Sequence, residues 1–77
     1  MPRYAVSAIS FFDNELVTDV VTADDYISAI RASEAAMKQL PEDELNPSPD
    51  EKQDDHIERL KQAAFNCDGA FNIVEIP

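Results

Sequence analysis

Residues 3–22, RYAVSAISFFDNELVTDVVT, decide the fold. Two runs rich in β-branched and aromatic side chains, 3–12 and 16–22, flank the polar triplet Asp13-Asn14-Glu15. Asn tolerates the positive φ of a tight reversal, so the segment predicts a β-hairpin over 3–22. Successive strand side chains alternate between faces, which sets Tyr4, Val6 and Ala8 against Ala5, Ile9 and Phe11. In the second strand Leu16 and Val20 oppose Val17 and Val21. Both faces are therefore apolar. Phe11 and Phe12 are consecutive, so in a regular strand only one of them can lie under the cover of a helix.

Downstream, the pattern turns helical. Thr22-Ala23-Asp24-Asp25 places a capping hydroxyl three residues before a carboxylate, and Asp24 and Asp25 suit the positive end of a helix dipole. The segment 23–40 lacks Gly and Pro, and Tyr26, Ile30, Ser33, Met37 and Leu40 fall on one helical face. Ala29, Ser33 and Ala36 are small enough for close approach to a sheet. Pro41 ends this helix and opens an acidic, proline-containing linker, 41–48. Ser48-Pro49-Asp50-Glu51 reads as a capping box with Pro at the first helical position, predicting a second helix over 49–66. Its apolar face is Ile57, Leu60, Ala64 and Cys67, with Phe65 on the flank. The first two turns carry no apolar side chain, so that end is expected to project into solvent. Asp68-Gly69 closes the helix, with Gly69 as the left-handed cap. Residues 70–76, AFNIVEI, form a last strand with Phe71 and Ile73 opposing Val74 and Ile76.

The order β-β-α-α-β predicts a single α+β domain over 1–77: a small three-stranded, mainly antiparallel sheet with two helices on one face. A tight helical hairpin would set the last strand beside the second, whereas a crossing second helix would set it beside the first. With helices on one face only, something else is expected to cover part of the other.

Seventy-seven residues bury only about 60–65% of their unfolded surface, which suits a flat contact surface better than a deep catalytic cleft. The net charge of −10 and pI near 4.1 argue against binding nucleic acid or anionic membrane. A basic protein surface is the natural electrostatic partner. Between Glu42 and Glu58 lie eight carboxylates and one Lys, −7 of the net −10. Within that run Asp54 and Glu58 are like-charged neighbours, while Asp55 has Arg59 four residues on. Three readings of this run stand side by side: a solvated helix end, an acidic docking surface, or a mimic of the DNA phosphate backbone.

Signals for catalysis are thin. His56 and Cys67 are each the only residue of their kind, and eleven helical residues would hold them roughly 16 Å apart, too far for a nucleophile–base pair. His56 reads as an exposed helix residue and Cys67 as a small core residue. The lone Cys permits no internal disulfide, and neither H-E-x-x-H nor an EF-hand loop occurs. No cofactor or metal is expected. The N-terminal run, cut by Asp13, does not read as a signal peptide, and no stretch approaches the roughly 20 apolar residues of a membrane span, so the chain reads as cytoplasmic.

The opening from Tyr4-Ala5-Val6 through Phe12-Asp13-Asn14-Glu15-Leu16 to Thr22-Ala23-Asp24-Asp25, closed by Phe71-Asn72-Ile73-Val74, resembles small acidic phage-encoded proteins. These inhibit host RNA polymerase, CRISPR complexes or host toxins. The resemblance implies a compact inhibitor in the host cytoplasm that occupies a basic groove or a protein interface. It carries no functional residue across, and the second helix with its linker departs from the simpler β-β-α-β forms.

The expected function is a non-enzymatic protein-binding module acting on a host protein. Its candidate contact residues are an acidic surface of Asp50, Glu51, Asp54, Asp55 and Glu58 and an apolar anchor of Phe11 and Phe12. The alternatives are a DNA-mimic decoy for a nucleic-acid-binding protein and a homodimeric accessory protein.

Overall fold

The hairpin forms as its pattern predicts. In the computed structural model, which describes all 77 residues, β1 (Arg3–Ser10) and β2 (Glu15–Thr22) pair antiparallel from Arg3 opposite Thr22 to Ser10 opposite Glu15. Asn14 takes the left-handed turn position at φ 50°. The first strand stops at Ser10, however, so Phe11 and Phe12 belong to the hairpin turn and not to a strand. The last strand, β3 (Gly69–Ile76), joins the free edge of β1 antiparallel, giving the order β2-β1-β3. Of the two placements the sequence allows, the crossing helix is the one adopted.

The helices lie on one face of this sheet. Tyr4, Val6, Ala8, Phe71 and Ile73 point into a core completed by Ile30, Leu40, Leu45, Leu60 and the small residues Ala29, Ala36 and Ala64. Small side chains let the helices sit close to the sheet, as their spacing suggests.

The helix expected over 23–40 is two helices, α1 (Tyr26–Ala32) and α2 (Glu34–Gln39). Ser33 breaks it with an extended conformation, φ −92° and ψ 110°. Its buried hydroxyl donates to Asp19 Oδ2 at 2.8 Å and accepts from Ala36 N–H at 3.3 Å, so one side chain caps α2 and satisfies a strand carboxylate. These bonds offset the interrupted backbone ladder. The N-cap of α1 is Asp25, which accepts from Ser28 N–H at 2.7 Å, and Thr22 remains in β2. That N–H holds the Asp25 carboxyl below the usual carboxylate range.

The second long helix, α3 (Gln53–Asn66), starts four residues later than the capping box suggests. Half of that box is present: the Glu51 carboxylate accepts from Ser48 N–H at 3.0 Å. Lys52 is then extended, at φ −76° and ψ 155°, so Ser48–Glu51 closes a separate turn and the helix begins beyond it. At the other end Asp68, not Gly69, adopts the left-handed conformation, at φ 58°. Gly69 is needed for a different reason. A Cβ there would collide with the Gln39 side chain and the Ile9 carbonyl. Cys67, expected in the core, is exposed at the end of α3.

Candidate partner-binding surfaces

The register of the three strands defines a second face that no helix covers. Its rows are Arg3, Thr22 and Ile76; Ala5, Val20 and Val74; Ser7, Thr18 and Asn72; and Ile9, Leu16 and Ala70. Leu16, Val20 and Val74 are 66%, 62% and 57% exposed, far above what a core-facing aliphatic shows. None of the chain's sixteen carboxylates occupies these twelve positions, and Arg3 is their only charge. In a chain of net charge −10 this is a carboxylate-free, largely aliphatic surface. Ser7 Oγ and Thr18 Oγ1 share a hydrogen bond of 3.0 Å across its centre, and a shallow depression of about 140 Å³ lies around Ile9, Leu16 and Ala70.

The hairpin turn stands at the end of that face. Phe11 packs edge-on against Phe65 of α3, with ring centroids 6.4 Å apart, and its N–H donates to Asp68 O at 2.8 Å. Phe12 is 81% exposed and held by neither ring. The aromatic tip thus has an anchored member, Phe11, and a free one, Phe12. Phe65 joins it, a residue that sequence reading left on the flank of the helix.

The acidic run sits on the helical side, and the structure divides it. Asp50, Asp54, Asp55 and Glu58 are exposed, but Glu51 turns inward. Its carboxylate takes two hydrogen bonds from Arg59, Nε at 3.0 Å and Nη2 at 2.8 Å. Arg59 also binds Glu44 through Nη1 and donates to the Asn46 carbonyl at 3.1 Å. This fork draws Arg59 away from Asp55, the partner that helical spacing offered, and ties the linker to α3. Arg59 pulls the Glu51 carboxyl down to about 2, with the Ser48 N–H adding to the effect, and the two carboxylates push the guanidinium further up. A carboxyl with a depressed folded value stabilises the protein above its ordinary value near 4.5, and that contribution fades as pH falls toward about 2. Thermal melts are therefore expected to drop between about pH 5 and pH 2, and Glu51→Gln is expected to flatten that part of the profile.

The N-terminal half of α3 does not project into solvent. His56, expected to be exposed, is fully buried. Its Nε2 lies 2.9 Å from the Glu44 carbonyl, which can only accept, so Nε2 carries the hydrogen. Nδ1 then accepts from the Tyr26 hydroxyl at 2.7 Å. One imidazole joins α1, the linker and α3, and no buried side-chain polar atom of the protein lacks a partner. Burial raises the Tyr26 hydroxyl above its ordinary range. His56 stands four residues before Leu60 and eight before Ala64, so its place on the packed face was readable from spacing.

A groove of about 360 Å³ lies between the hairpin and α2 and is lined by Asp13, Glu15, Asp19 and Glu34 with Lys38 among them. No group of three or more His, Cys, Asp or Glu side chains is placed to hold a metal ion, and no helix is long and apolar enough to cross a membrane. Comparison of the chain with protein-family models, with curated proteins and with solved structures finds no match.

Proposed function

We propose that this protein is a non-enzymatic protein-binding module whose contact surface is the uncovered sheet face together with the aromatic tip at Phe11 and Phe12. The observation that carries this reading is the distribution of charge. Sixteen carboxylates avoid all twelve positions of the one sheet face that the helices leave bare. A face kept soluble by charge would carry some of them; a face kept for contact excludes them, since interface centres are depleted in charged residues. Phe12 supplies the kind of aromatic anchor on which binding energy concentrates. The exposed carboxylates on α3 lie on the helical side and act at longer range, raising the encounter rate with a basic partner. Pairing of Glu44 and Glu51 with Arg59 removes two carboxylates from the run that a phosphate mimic would display, and this favours steering over phosphate mimicry. The non-enzymatic reading is supported by His56, whose two ring nitrogens are both engaged inside the protein.

Affinity capture from a bacterial lysate, washed at low and at high salt, tests the surface. A partner held by the wild-type chain is expected to survive high salt. It is expected to be lost with the double variant Val20→Glu, Val74→Glu, and to persist with Asp54→Asn, Asp55→Asn, Glu58→Gln. Loss with the neutralised acids and retention with the charged sheet would overturn the proposal in favour of the acidic surface.

A further inference from the structure

We infer that the occupant of the uncovered sheet face is a second copy of this chain, stacked sheet on sheet with the helices outermost. The inference rests on the reading of that face as a contact surface and adds what covers it. Three features point to self-association.

The first is the pattern of the rows. A twofold axis lying in the interface along β1 brings β1 over β1 and β2 over β3 of the second copy, so each row stacks on itself. The aliphatic row Ala5, Val20, Val74 meets its own kind, as does Ile9, Leu16, Ala70. In the polar row Thr18 faces Asn72 of the second copy, a hydroxyl opposite an amide, and neither need be buried unpaired. An axis across the strands would set the aliphatic row on the polar one. Three of the four rows are thus self-complementary about one axis, as an isologous interface requires.

Charge is the second feature. Two chains of −10 repel each other, and this face lets them meet without opposing carboxylates; its one charge, Arg3, lies in the end row, where it meets Arg3 of the second copy at the rim. Stacked sheets lie about 10 Å apart and the helix layers beyond them, so the acidic helices stand more than about 20 Å from each other, against a screening length of about 8 Å.

The third is area. Three strands of eight residues, at about 3.4 Å rise and 4.8 Å spacing, present on the order of 400 Å² in projection. Two copies bury about 800 Å² from the flat outline alone, and side-chain relief plus the aromatic tips, which this axis places at the same end, carry it toward the ~1,200 Å² of the smaller stable interfaces.

Light scattering on the eluting protein over a wide dilution series tests this. The expected mass is twice the 8.6 kDa of the chain, falling to a single chain on dilution. Val20→Glu and, separately, Val74→Glu are expected to give the single-chain mass throughout, with an unchanged melt when dilute, because both side chains are already exposed in the lone chain. A single-chain mass for the wild type at every concentration overturns the inference. So does a doubled mass that neither substitution disturbs. If the wild type is monomeric yet both substitutions abolish capture of a foreign protein, the second copy is excluded while the contact-surface reading stands. If neither mass nor capture responds to them, both fall.

Discussion

Replacing His56 with Ala lowers the thermal midpoint by about 12–24 °C, the equivalent of about 3 kcal/mol in a domain this size. The side chain is fully buried, and its loss opens a cavity between α1, the linker and α3. It also strands the Glu44 carbonyl and the Tyr26 hydroxyl without their partner. A domain of this length holds only about 4–12 kcal/mol in total, so the variant sits near the edge of folding. His56→Phe fills the space but leaves both the carbonyl and the hydroxyl orphaned, and is expected to cost less than Ala because no cavity opens. Tyr26→Phe removes only the bond to Nδ1 and is expected to cost about 1–2 kcal/mol. Denaturant melts of the three variants check this order. An Ala variant as stable as the wild type would show that the imidazole does not hold the linker.

The second large effect is at Gly69. Gly69→Ala is expected to cost about 2–3 kcal/mol, because the new methyl meets the Ile9 carbonyl on one side and the Gln39 side chain on the other. The carbonyl belongs to the central strand and cannot yield without opening the β1–β3 pairing at its first step. Gln39 can yield only by releasing the Ala64 and Cys67 carbonyls, to which its amide donates at 3.1 Å each. At the neighbouring residue the sign reverses. Asp68 holds the left-handed conformation at φ 58°, where Gly carries no steric cost, so Asp68→Gly is expected to be neutral or stabilising by up to about 1 kcal/mol. Thermal melts of the pair distinguish close packing from backbone conformation as the reason for glycine here. Destabilisation by Asp68→Gly together with tolerance of Gly69→Ala would reverse the assignment.

The α+β class, the hairpin, the alternation of faces and the burial of Ile30, Leu40 and Leu60 were all legible, because each rests on periodicity and local turn chemistry. What sequence reasoning missed was decided by tertiary partners. Ser33 looked like one more small residue on a helical face, and only the approach of Asp19 from β2 makes it a break. Glu51 looked like a solvent-facing cap residue, yet Arg59, eight residues on, turns it inward. His56 reads as exposed if taken alone, although its position four residues before Leu60 already places it on the packed face. Propensity alone points to Gly69 as the left-handed cap, but Asp68, which also tolerates that conformation, takes the role, and Gly69 meets a packing need instead. Of the candidate surfaces, the two-sided apolarity was visible in the strands, but the exclusion of every carboxylate from one face emerges only once the register is known. Phe11 and Phe12 stand out in the sequence as an exposed aromatic pair, though as strand residues; the turn that displays them depends on where pairing stops.

The most direct test of the uncovered face as the contact surface is methyl relaxation by an inert, soluble gadolinium chelate. It is read on methyl-labelled protein, first dilute and alone, then in its associated state, whether with itself or with a captured protein. The methyl groups of Leu16, Val20 and Val74 are expected to relax strongly in the lone chain, where all three are exposed, and to lose most of that enhancement on association. Unchanged relaxation at those three residues in the associated state, with protection appearing instead at Ile57 beside the exposed acids of α3, would contradict it.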